Sequence, residues 1–202
     1  MNATTISIRK LSGIMDYRTY LDITTQLLAQ GKTSGTTQSE ALTNYTKLNL
    51  QRMKRLHKTT HLMEELSAVL EHITTPQTWI VLTESWCGDA SQIIPVLDVV
   101  AKSTPMVELK LLFRDEHLDL MDQFLTNGGR SIPKLVITES ETGNVLADWG
   151  PRPAEIQEQV MTYKANPHVP FEEFVVEVQN WYNKDKTRQI QLELANLLNG
   201  LK

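Results

Sequence analysis

A single cysteine, Cys87, occurs among 202 residues. No disulfide can close within the chain, which excludes the stapled frameworks of small secreted domains. Long apolar runs are missing too: none approaches the ~20 residues that a membrane-spanning helix needs, so no membrane partner is expected. Charge of one sign is scarce, with a net of −4. That balance offers no basic field to a nucleic acid or an anionic bilayer, and no nucleic-acid partner is expected. Met1 to Leu11 is polar and lacks the apolar core of a secretory leader. The expected location is cytoplasmic, where a lone thiol stays reduced.

The rest of the composition is that of an ordinary globular chain, 41% hydrophobic and 22% charged. Its length supports one well-cored domain with extensions, or two small domains; one is the expectation. The stretch from Thr78 to Ala90 organises the whole. Trp79 to Thr83 is short, apolar and bounded upstream by Pro76, so it reads as a buried strand. From Ser91 to Ala101, Ile93, Ile94, Leu97, Val100 and Ala101 recur at helical spacing. Cys87 therefore falls at a strand-to-helix turn, where unpaired N–H groups and the helix dipole favour a thiolate. Asp89 can cap the same helix, yet its charge opposes that thiolate.

Upstream, Ile14 to Leu28 suggests a helix stopping near Gly31, followed by a polar turn from Lys32 to Gln38. Ser39 to Ile73 contains neither glycine nor proline and keeps a helical rhythm. Unbroken, that helix would be on the order of 50 Å long; it either bends near Lys58-Thr59-Thr60 or stands out as an arm. A basic stretch within it, Lys47, Arg52, Lys54, Arg55, His57, Lys58 and His61, reads as a solvated face. His57 and His61 are one turn apart but have no third ligand of obvious spacing, and no metal is expected.

Downstream, Met106 to Phe113 reads as a second strand, and Asp115 as the cap of a helix from Leu118 to Leu125. Leu135 to Thr138 and Val145 to Trp149 form a hairpin, and Pro151 to Tyr163 a further helix. After Pro167 and Pro170, an apolar stripe runs from Phe171 to Leu201. It packs on the N-terminal helices or, alternatively, forms a homodimer seam.

Trp86-Cys87-Gly88-Asp89-Ala90, with Pro95 eight residues past the cysteine, resembles the thioredoxin active-site segment. Gly128 to Ile137 is similar to the loop and strand carrying that family's cis-proline, here Pro133. Gly143-Asn144 and Asp148-Trp149-Gly150 resemble its last hairpin. The resemblance implies an α/β fold, a thioredoxin-like mixed sheet flanked by helices, to which the helical patterns outside it add an N-terminal helical hairpin and a C-terminal long helix. It divides the chain into an N-terminal helical extension at 1–76, a core at 77–163 and a C-terminal helical extension at 164–202, packed as one domain. It makes Cys87 the nucleophile and places Trp86, Gly88, Asp89, Ile132, Pro133 and Trp149 around a substrate groove.

Departures from the family pattern bear on activity. The second cysteine of the family is Ala90 here, and the family's buried acid and its paired lysine fall on Val81 and near Leu111. Two readings follow. In one, Cys87 exchanges with protein or low-molecular-weight disulfides, and an external thiol such as glutathione resolves it; no other cofactor is expected. In the other, the groove at Pro133 binds a partner and redox chemistry has been abandoned.

Overall fold

The computed structural model describes residues 4–201. The first three residues, part of the stretch read above as a polar N-terminus, and Lys202 lie outside the described residues. Among the described residues, four strands form one sheet: β1 Gln77–Thr83, β2 Val107–Phe113, β3 Lys134–Glu139 and β4 Val145–Trp149, in the order β2-β1-β3-β4. β1 pairs parallel with β2 and antiparallel with β3. Every residue of this central strand is buried, which explains why its sequence is a continuous apolar run rather than an alternating one. Val81 lies opposite Leu111 in the β1–β2 register, and both are fully buried. Two apolar side chains thus fill the positions where the resemblance implies an acid and a lysine.

Among the described residues, eight α-helices surround the sheet: α1 Tyr17–Ala29, α2 Glu40–Thr59, α3 Glu64–Leu70, α4 Gly88–Lys102, α5 Leu118–Met121, α6 Ala154–Ala165, α7 Phe171–Asp185 and α8 Arg188–Asn199. This is the mixed sheet with flanking helices that the resemblance implied. Asp16 and Ser39 start α1 and α2 by accepting from the backbone N–H of Thr19 and Leu42. Leu50, Met53 and Leu56 bury one face of α2, which packs on α4. Leu66, Val69 and Leu70 bury α3, which packs on α8.

Two expectations about elements are corrected and one open choice is decided. Of the two options for Ser39 to Ile73, the chain takes the bend near Thr60: the stretch is two helices, because the backbone turns extended at Thr60 and again at Met63. Gln191 of α8 clasps the break, accepting from the Met63 N–H at 2.8 Å and donating to the His61 carbonyl at 3.1 Å. Asp115 does not cap the next helix. It lies in a 3₁₀ turn, where its carboxylate accepts from the Thr36 N–H at 2.9 Å and from Arg114, and α5 is only one turn long. The C-terminal extension is helical as expected, but as two helices rather than one long one. Lys186 and Thr187 take left-handed backbone and end α7. The apolar stripe of this region is buried within the chain at Phe174, Val178, Tyr182, Ile190, Leu194 and Leu198.

Candidate functional site

β1 ends at Thr83, and the chain crosses Glu84, Ser85 and Trp86 before Cys87 caps α4. The approach is braced from below. The buried Glu84 carboxylate accepts from the Asp115 N–H at 2.9 Å and from the Ser34 hydroxyl. Ser85 meets the Thr33 hydroxyl at 2.9 Å, and its carbonyl accepts from Asn49 of α2 at 2.9 Å. The polar turn between α1 and α2 is therefore a structural strut beneath the cysteine loop.

Cys87 is 7% exposed, and its S–H donates to the Ile132 carbonyl at 3.3 Å. The Ile132–Pro133 peptide bond is cis, and both residues are buried. Cys87, Ile132 and Pro133 thus meet at one point, although 45 residues separate the thiol from its acceptor. Gly88 is half-buried beneath α7, where a Cβ would meet the Gln179 amide at 3.2 Å. Trp86 is half-buried, with the Arg114 guanidinium 5.5 Å from its ring centroid. Trp149, at the end of β4, donates from its Nε1 to Glu193 of α8 at 2.8 Å.

The role expected for Asp89 is corrected. Cys87 holds the cap position of α4, and no side chain makes the capping bond. The Asp89 carboxylate instead accepts from Arg152 Nη2 at 2.5 Å through one oxygen and from the Tyr182 hydroxyl at 2.9 Å through the other. Arg152 and Tyr182 escape sequence reasoning because no periodicity links positions 89, 152 and 182. The faint signals are an arginine directly after Pro151 and a tyrosine on the C-terminal stripe. His57, weighed above as a ligand, pairs with Asp98 at 2.7 Å and stacks on Tyr17.

Burial pushes the Cys87 thiol up to about 12, and the Asp89 charge adds to the effect. The backbone N–H groups of Ala90 and Asp89 and the Arg152 charge act in the opposite sense without prevailing. A thiol that donates to a carbonyl must keep its proton, so the hydrogen bond to Ile132 points the same way as the electrostatics. Burial also holds the Tyr182 hydroxyl well above its ordinary value, with Asp89 reinforcing it, so it remains a neutral donor. For Arg152, burial works against the charge, but Asp89 outweighs it and the guanidinium stays cationic.

Two surface clefts of about 470 Å³ lie elsewhere and are not lined by Cys87, Ile132 or Pro133. Among the described residues, no group of three or more His, Cys, Asp or Glu side chains is placed to hold a metal ion. None of the described helices is long and apolar enough to cross a membrane.

A family model described as thioredoxin matches residues 35–165. The match begins upstream of β1 and takes in α2 and α3. A crystal structure of a protein of unknown function from Pseudomonas aeruginosa is similar over 93% of this chain and 99% of its own, at 17% identity and a TM-score of 0.59. The crystal structure of an HIV epitope scaffold is similar over 87% and 97%, at 16% identity and a TM-score of 0.56. At such identities these likenesses concern the fold alone. Among curated proteins, no sequence matches.

Proposed function

The chain belongs to the thioredoxin family, and on that premise we propose that it is a thioredoxin-fold binding module whose resting thiol is redox-silent. One observation carries this reading: the buried Cys87 S–H donates to the Ile132 carbonyl in a chain with no second cysteine. The thiol is neutral there, and it occupies a backbone acceptor beside the cis-proline that an extended partner strand would otherwise use. Recognition then falls to the rim of the groove. Half-exposed Trp86 is linked there through Arg114 to the Arg130 carbonyl at 3.3 Å, beside half-exposed Gly129 and Ser131. The partner on this reading is a protein segment met at the aromatic and cationic rim.

A second reading has its own support. Backbone N–H groups of Asp89 and Ala90 and the Arg152 charge favour a Cys87 thiolate. An ionised and accessible Cys87 would attack a protein or glutathione mixed disulfide, forming a new S–S bond and expelling the other sulfur as thiolate. A second, external thiol would then release Cys87.

Alkylation of Cys87 by an uncharged reagent across pH separates the two, with the unfolded chain as reference. The binding-module reading expects a folded-state apparent pKa above that of the unfolded chain, and Cys87→Ser retaining partner binding. An apparent pKa below the unfolded value, with mixed-disulfide turnover that Cys87→Ser abolishes, would establish the exchange reading instead.

A further inference from the structure

α7 stands over the first turn of α4, and buried hydrogen bonds tie the two together. Gln92 donates to Gln179 at 2.8 Å, both side chains being buried. Tyr182 donates to Asp89, and Asp89 is braced from its other side by Arg152, whose second nitrogen donates to Gln157 of α6 at 2.7 Å. Gly88 leaves the room that Gln179 fills, since a Cβ there would crowd the amide at 3.2 Å.

Both ends of α7 are points where the chain can turn. Pro167 and Pro170 precede it, and left-handed Lys186 and Thr187 follow. Beyond that joint α8 is anchored separately: Ile190 and Leu194 are fully buried, and the helix packs against α3. The outer face of α7 is exposed, Phe171 at 59% and Val176 at 57%. A helix whose ties to α4 are a few specific hydrogen bonds, set between two joints and beside a fixed neighbour, can lift from α4 without unfolding the core, its buried Phe174 staying stacked on Tyr163 of α6 at 3.8 Å.

We propose that α7 is a latched lid over the thiol site, with the Tyr182–Asp89–Arg152 chain as its latch. The inference rests on the silent resting thiol described above and adds its cause: the closed state is imposed by α7 and is reversible. Opening the latch exposes Cys87 and frees Asp89 and the Gly88 backbone to solvent. Nothing covalent is required.

The test is the alkylation rate of Cys87 by iodoacetamide in the folded full-length chain, at fixed pH and in a series of low denaturant concentrations. Tyr182→Phe keeps the ring and removes the donor. Loss of one hydrogen bond to a charged acceptor corresponds to a rate about ten- to a hundredfold faster than wild type. In the lid mechanism that rate is flat in low denaturant, because opening is local. Gln179→Ala, which removes the second polar contact, is expected to accelerate alkylation in the same denaturant-independent way. Phe171→Ser on the exposed face leaves the wild-type rate unchanged. Protection equal to wild type in both Tyr182→Phe and Gln179→Ala overturns the lid. So does acceleration whose denaturant slope equals that of global unfolding. A wild-type thiol that is already reactive overturns the silent resting state instead, so the two failures are distinguishable.

Discussion

Glu84 sits three residues before the thiol and is fully buried. Burial lifts its carboxyl above the ordinary value near 4.5, against the bonds from Ser34 and the Asp115 N–H; the Asp115 charge adds to the lift and Arg114 opposes it. The folded state therefore holds this proton more tightly than the unfolded chain. The stabilisation is complete below the unfolded value and is lost as pH rises through the folded one. Glu84→Gln keeps both hydrogen-bonding partners within reach and removes the charge. It is expected to be at least as stable as wild type at pH 7, with the difference vanishing towards pH 4; urea unfolding at several pH values reads this directly. Gly150 offers a second test at this scale. Its φ is +108°, and a Cβ would lie 2.5 Å from the Pro133 carbonyl oxygen. Gly150→Ala is expected to destabilise the fold by about 1–3 kcal/mol and to disturb the loop facing Cys87; the melting temperature and the near-ultraviolet dichroism of the tryptophans check it.

At the scale of elements, the break between α2 and α3 shows how a tertiary contact decides a boundary. Nothing between Lys58 and Met63 stops a helix by itself, yet the chain leaves helical geometry there and Gln191 takes up the freed N–H and carbonyl. Gln191→Leu leaves the Met63 N–H and the His61 carbonyl without that partner. It is expected to cost about 1–3 kcal/mol, measured by denaturant unfolding. The long uninterrupted pattern from Ser39 to Ile73 was legible as helix because apolar spacing and the absence of breakers act locally. The bend was legible only as one of two options, since its acceptor and donor come from α8, 128 and 130 residues away. Asp115 makes the complementary point. Its position suits a cap, but the Thr36 N–H and the Arg114 side chain claim the carboxylate first.

For the molecule as a whole, α8 ties the C-terminal extension to α3 of the N-terminal one. Leu194 is fully buried, and α8 packs against α3. Leu194→Ala is expected to destabilise the protein by about 2–5 kcal/mol. If the 1–76, 77–163 and 164–202 segments form one cooperative domain, as we propose, the variant shifts a single transition. Far-ultraviolet dichroism and tryptophan fluorescence should then report the same midpoint. Separate midpoints for the two signals would instead assign the extensions to an independent unit.

The sequence by itself determined the sheet and the place of the thiol. A fully buried strand, a helix start after it and the Ile132–Pro133 loop are local patterns of apolarity and backbone chemistry, and these survive without knowledge of distant partners. The tertiary structure alone decided the state of that thiol. A helix start favours a thiolate, but burial, the S–H bond to Ile132 and the Asp89 charge favour the neutral form and prevail. Desolvation depends on what covers a group rather than on its neighbours in the chain. Here Tyr182 and Arg152, 93 and 63 residues from Asp89, converge on that carboxylate beside the thiol.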